Sequence, residues 1–139
     1  WRLRSRGYRL VCTPKSKVYH VGGGTLNAES PRKTFLNFRN NLLMLYKNLP
    51  EKELRPVMRL RFWLDYIAAT KFFLCGHPRN AFAVYQARKE FHRLLPEYKL
   101  KREENQKLAT LASIPELKSY SLLVQFYLKR KKHYAELPQ

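Results

Sequence analysis

The chain changes character at Ser30-Pro31. Ahead of that dipeptide lie short runs of strand formers and a glycine loop. Behind it, apolar residues recur at helical spacing almost to the end. Three of the five glycines stand in a row, Gly22, Gly23 and Gly24, directly after VYHV (18–21). The expected division is therefore residues 1–30 as one unit and 31–139 as a basic helical region.

Within the first unit, WRLRSRGY reads as the last turns of a helix. Trp1 and Leu3 fall on one side, Arg2, Arg4 and Arg6 on the other, and Gly7 is the stop. So short a helix is marginal alone, and it starts in mid-pattern, so the natural protein is expected to continue upstream. YRLVCT (8–13) and KVYHV (17–21) are the two expected strands, and 22–31 is a loop by composition. Strands with no sheet beside them would carry exposed edges.

Ser30 then serves as N-cap and Pro31 as first residue of a helix. Its apolar face is Phe35, Phe38, Leu42, Leu45 and Leu49, and Asn48 to Pro50 ends it. A second helical stretch runs from Glu51 to Leu74, with a kink or restart expected at Pro56. Its centre, FWLDYIAATKFFLC (62–75), is apolar nearly all round. At fourteen residues, broken by Asp65 and Lys71, it is too short and too charged to span a membrane. Gly76 and Pro78 close it. A third helix is expected from Asn80 to Leu95, stopping before Pro96. Residues 97–113 read as a linker or loosely held helix, and Pro115 opens a fourth helix with apolar positions 117, 120, 124 and 127. No internal repeat or low-complexity tract is present. The expected fold class is mostly α, with two short N-terminal strands.

Charge narrows the partners. Lys and Arg number 28 against 10 Asp and Glu, a net charge of +18. Such an excess calls for a polyanionic neighbour: nucleic acid, an anionic membrane surface or a phosphorylated ligand. Two tryptophans, nine tyrosines and eight phenylalanines exclude a disordered tail. Cys12 and Cys75 have no Cys or His at metal-ligand spacing and read as buried free thiols. WRLRSRGYRL has no apolar h-region of a signal peptide.

Residues without Cβ let backbone N–H groups approach an anion and permit positive φ, so the glycine loop after His20 could cradle phosphate, with His20 ligating a metal or donating to phosphate. It could equally be a flexible loop with His20 satisfied by a neighbour. GGGT lacks the Lys-Ser/Thr of a P-loop and the glycine spacing of a dinucleotide fingerprint.

The run WRLRSRGYRLVCTPKSKVYHVGGGT, followed by PRKTFLNFRNNLLMLYKNLP, resembles the C-terminal part of family-2 glycosyltransferases of the GT-A fold, the rhamnosyltransferase-like bacterial members most of all. Arg2, Gly7, Tyr8, Pro14 and His20 match that pattern in order and spacing, and Phe38, Arg39, Asn40 and Asn41 match its Tyr/Phe-Arg-Asn helix. The likeness covers about residues 1–50.

The resemblance implies an α/β GT-A fold whose C-terminal portion this chain is. It implies transfer of a sugar from a nucleotide-diphosphate sugar to a cell-surface polysaccharide or polyprenyl-linked acceptor. Mn²⁺ or Mg²⁺ would neutralise the leaving diphosphate and a carboxylate would activate the acceptor. It places His20 at the metal. Arg2, Gly22, Gly23, Gly24 and Thr25 fall at the donor diphosphate or acceptor loop. No catalytic residue falls in this chain: the Asp-x-Asp motif and catalytic carboxylate are expected upstream, leaving the piece itself inactive.

Trp63, Phe62, Tyr66, Phe72 and Phe73, flanked by Arg59, Arg61 and Arg79, suit a helix in a membrane interface or plain helix packing. Lys129–Lys132 would add attraction to anionic lipid. The expected location is cytoplasmic, peripheral at the inner face of the cell membrane. The competing readings are a basic nucleic-acid-binding module or a membrane-surface module without catalysis. No RRM, KH, zinc-finger or clear helix-turn-helix pattern supports the former, so no nucleic acid is expected.

Overall fold

The computed structural model describes residues 1–19, 30–111, 114–118 and 120–138. These form four helices: α1 (Arg2–Ser5), α2 (Pro31–Asn48), α3 (Glu51–Leu74) and α4 (Pro78–Lys107). A π-helical turn (Val124–Leu128) and a 3₁₀ turn (Tyr134–Glu136) follow.

The start of α2 is as the sequence requires. Ser30 is extended (φ −63°, ψ 127°) and Pro31 opens the helix, though the Ser30 hydroxyl makes no capping hydrogen bond. Gly7 and Gly76 end α1 and α3 with φ of +85° and +79°. After α1, the Gly7 and Tyr8 amides donate to Arg4 O and Leu3 O. After α3, the Gly76 and His77 amides donate to Phe73 O and Phe72 O. Both are Schellman closures, which need a left-handed residue at that position and so favour glycine.

Helix α4 is the spine: α2 and α3 both pack along it and touch each other lightly. Its buried positions Asn80, Ala83, Val84, Ala87, Arg88 and Phe91 keep helical spacing, and half-buried Leu94, Leu95 and Tyr98 carry the same face on to buried Arg102 and Asn105. Ala83 and Ala87 let a neighbouring backbone come close. Leu42 and Leu43 of α2 meet Phe91, with Tyr46, Met58, Leu94, Leu95 and Tyr98 packed round them.

Several expectations are corrected. No strand is present among the described residues, so the α/β assignment with N-terminal strands does not hold. Residues 8–19 are irregular, and Val18 and Tyr19 are 87% and 94% exposed. Strand formers need a partner ladder to satisfy their backbone, and none lies beside them. His20 and Val21, the end of the second expected strand, lie outside the described residues.

Helix α4 does not stop at Leu95. It passes exposed Pro96 and runs to Lys107, so most of 97–113 is helix rather than linker. The proline lies on the outward side, and tertiary contacts at Arg102 and Asn105 hold the turns beyond it. Pro56 likewise lies inside a continuous α3.

The expected helix from Pro115 is reduced to the turn at 124–128. Of the expected face, Leu117, Val124 and Tyr127 are exposed and Tyr120 is half-buried, so the periodicity finds little surface to bury against among the described residues, and packing is what stabilises most helices. Cys12 and Cys75 are exposed free thiols rather than buried ones.

The N-terminal turn docks on the far end of α4. The Thr110 and Leu111 amides both donate to Ser5 O. Arg4 forms a forked pair with Glu116 (Nη2–Oε1 2.6 Å, Nε–Oε2 3.1 Å). Arg6 Nη2 donates to Asn105 Oδ1 at 3.3 Å.

Candidate functional site

Between α3 and α4 lies an open groove of about 960 Å³. From α3 it takes Arg55, Met58, Arg59, Phe62 and Tyr66; from α4 it takes Tyr85, Arg88, Lys89 and His92. The spacings explain the assembly. Positions 55, 59, 62 and 66 share one face of a helix, as do 85, 88, 89 and 92. Among the described residues no carboxylate lines the groove.

Its fixed point is Arg88. Nη1 donates to Asp65 Oδ2 at 2.7 Å, where Asp65 is fully buried and Arg88 nearly so. The guanidinium sits 5.0 Å from the Phe62 ring centroid and 5.8 Å from that of Tyr66. Arg61, one turn before Asp65, ion-pairs with the other carboxylate oxygen and lies 5.9 Å from the Phe38 ring of α2. Burial pushes the Asp65 carboxyl above the ordinary aspartate value, while Arg61 and Arg88 pull it back. Asp65 therefore locks Arg88 in place, its single charge shared between Arg88 and Arg61.

The rim differs. Arg55, Arg59 and Lys89 have no carboxylate partner among the described residues. They stand as uncompensated positive charge over an aromatic floor, where a phosphate or carboxylate would be held by charge-assisted hydrogen bonds.

Beside the groove runs an uncovered apolar stripe. Leu60, Trp63, Ile67 and Leu74 of α3 are 59%, 66%, 64% and 79% exposed and follow one another along one side. A shallow trough lined by Trp63, Tyr66, Ile67, Thr70, Lys71, Leu74 and Cys75 joins it, and Tyr66 lines both trough and groove. No helix among the described residues is long and apolar enough to cross a membrane.

A second buried arginine is structural. Arg102 Nη1 donates to Leu49 O at 2.7 Å and to Tyr46 O, and Nη2 reaches Glu51 Oε2 at 2.8 Å. It satisfies the orphan carbonyls at the end of α2 and joins that end to the start of α3.

Of the residues singled out in the sequence, Arg2 lies exposed on α1 and is not part of the groove. Its charge, after burial and with Lys101, helps push the Lys47 ammonium below the usual lysine value. His20, Gly22, Gly23, Gly24 and Thr25 lie outside the described residues. Among the described residues no three His, Cys, Asp or Glu are placed to hold a metal ion. In the Phe38–Asn41 segment, Arg39 donates through Nε and Nη2 to Asn40 Oδ1 at 3.1 and 2.9 Å.

The Asp65 arrangement escaped sequence reasoning, which took Asp65 as an interruption of an apolar run. The usable signal was a lone acid in such a run with Arg61 four residues before it. Protein-family models, curated proteins and solved structures give no match to this chain.

Proposed function

We propose that this chain is the C-terminal segment of a glycosyltransferase. The enzyme moves a sugar from a nucleotide-diphosphate donor to a polysaccharide or polyprenyl-linked acceptor at the anionic inner face of the cell membrane. The sugar-transfer part rests on the ordered motif residues Arg2, Gly7, Tyr8, Pro14 and His20 and on the Phe38–Asn41 helix. The observation that carries the membrane part is the exposed Leu60–Trp63–Ile67–Leu74 stripe beside cations with no acidic partner among the described residues. Interfacial helices combine those two features.

On this reading α2–α4 form the docking platform. The motif segment ahead of α2 faces the donor, with His20 as the chain's one ligand to Mn²⁺ or Mg²⁺, the ion that neutralises the diphosphate. Arg2 and the Gly22–Thr25 loop are assigned to donor or acceptor contact.

The test is sugar transfer by the full-length protein from a set of radiolabelled nucleotide-diphosphate sugars into the lipid and polysaccharide fractions of membranes. Metal-dependent incorporation that His20→Ala depresses strongly is the expected result. No transfer from any donor, or transfer indifferent to His20, overturns the reading.

A further inference from the structure

We propose that the α3–α4 groove is a binding site for the phosphate headgroup of a membrane lipid, a phosphomonoester or diphosphate rather than a phosphodiester. The site rests on the membrane placement above, but not on sugar transfer.

Three observations converge. First, the rim cations Arg55, Arg59 and Lys89 have no acidic partner among the described residues, whereas the deeper Arg88 is already paired with Asp65. Three uncompensated charges exceed what the single negative charge of a phosphodiester balances. A phosphomonoester carries about −1.5 to −2 at neutral pH and offers three acceptor oxygens.

Second, the floor is apolar and aromatic. Met58, Phe62, Tyr66 and Tyr85 offer surface to glycerol or chain carbons but few donors to a free inorganic anion.

Third, the groove does not end in water. Through Tyr66 it opens onto the trough of Trp63, Ile67 and Leu74, on the uncovered side of α3. A ligand with an anionic head and an apolar tail fits both halves at once. A soluble phosphate would leave the stripe exposed, and a polyanion such as nucleic acid would leave it unexplained.

Binding of the full chain to sedimented vesicles tests the site. Three compositions are compared: phosphatidylcholine alone, and phosphatidylcholine mixed with phosphatidic acid or with phosphatidylglycerol at matched surface potential. Tighter binding to the phosphatidic acid vesicles is expected, and millimolar inorganic phosphate should displace little of it. Arg55→Gln, Arg59→Gln and Lys89→Gln should each weaken that binding roughly fivefold. Combined, they should erase the preference for phosphatidic acid while leaving helicity unchanged.

Trp63→Ser with Ile67→Ser should weaken binding to both anionic vesicles. Equal binding to the two anionic vesicles, or a preference untouched by the triple variant, overturns the headgroup site and leaves membrane docking standing. Displacement by inorganic phosphate alone assigns the groove to a soluble anion and overturns the lipid. No binding to any vesicle overturns the docking reading together with the site.

Discussion

Arg88 Nη1 meets Asp65 Oδ2 at 2.7 Å across the α3–α4 seam, with Asp65 fully buried and Arg88 nearly so. Such a pair is asymmetric. Its formation gains little over well-packed apolar residues, but its disruption strands a charge. Arg88→Met should lower stability by about 3–5 kcal/mol, measured by urea unfolding. Asp65→Leu combined with Arg88→Met should restore most of that. A double-mutant cycle with no coupling between the two positions would refute the assignment.

Asp65 and Glu116 should give the chain two pH dependences of opposite sign. Burial raises the Asp65 carboxyl above its unfolded value. Its contribution is therefore fully present below the unfolded value and is lost as pH rises through the folded one. Asp65→Asn should flatten that slope. Glu116 is the reverse: the forked hydrogen bond from Arg4 holds its carboxyl below the usual glutamate value. Its contribution is present above the unfolded value and is lost as pH falls through the folded one. The exchange protection factors of the Thr110 and Leu111 amides should fall on acidification, and Glu116→Gln should remove that loss.

The helices were legible where a local signal and a tertiary one agree. Ser30-Pro31 starts α2, Gly7 and Gly76 end α1 and α3, and the Phe38–Leu42–Leu45 face turns inward as its spacing requires. What misled was local signal without tertiary support, or the reverse. Among the described residues, Tyr8–Thr13 has the composition of a strand but no partner to pair with, and the 117–127 stripe has helical spacing but little to cover it. Pro96 has the opposite fault: a strong local stop overridden by Arg102 and Asn105 beyond it. The groove was half legible. The aromatic cluster at 62–73 and its flanking arginines stood out, but the division of the cations into paired Arg88 and unpaired Arg55, Arg59 and Lys89 depends on how α4 lies against α3.

Arg102 gives the third test. Its guanidinium serves Leu49 O, Tyr46 O and Glu51 Oε2 at once, a forked arrangement that a single ammonium does not reproduce. Arg102→Met leaves buried carbonyls unpaired and should cost about 3 kcal/mol in thermal or urea unfolding. Arg102→Lys should recover only part of it. Full recovery would mean that charge, not geometry, holds the end of α2.

Pro96 sits on the exposed side of α4, eighteen residues after the helix opens at Pro78. A proline there removes the amide that would bond His92 O and crowds that carbonyl, at about 3 kcal/mol in an unconstrained helix. Helix α4 tolerates it because α2 and α3 pack along its inner face. Pro96→Ala should therefore stabilise the chain by about 1–3 kcal/mol, the restored bond being partly offset by the freer unfolded chain. The measurement is the urea midpoint at unchanged slope, with the amide gained at position 96 protected and protection rising at its neighbours. A destabilised Pro96→Ala would mean that the helix ends at Leu95 in solution and that residues 97–107 are held by other contacts.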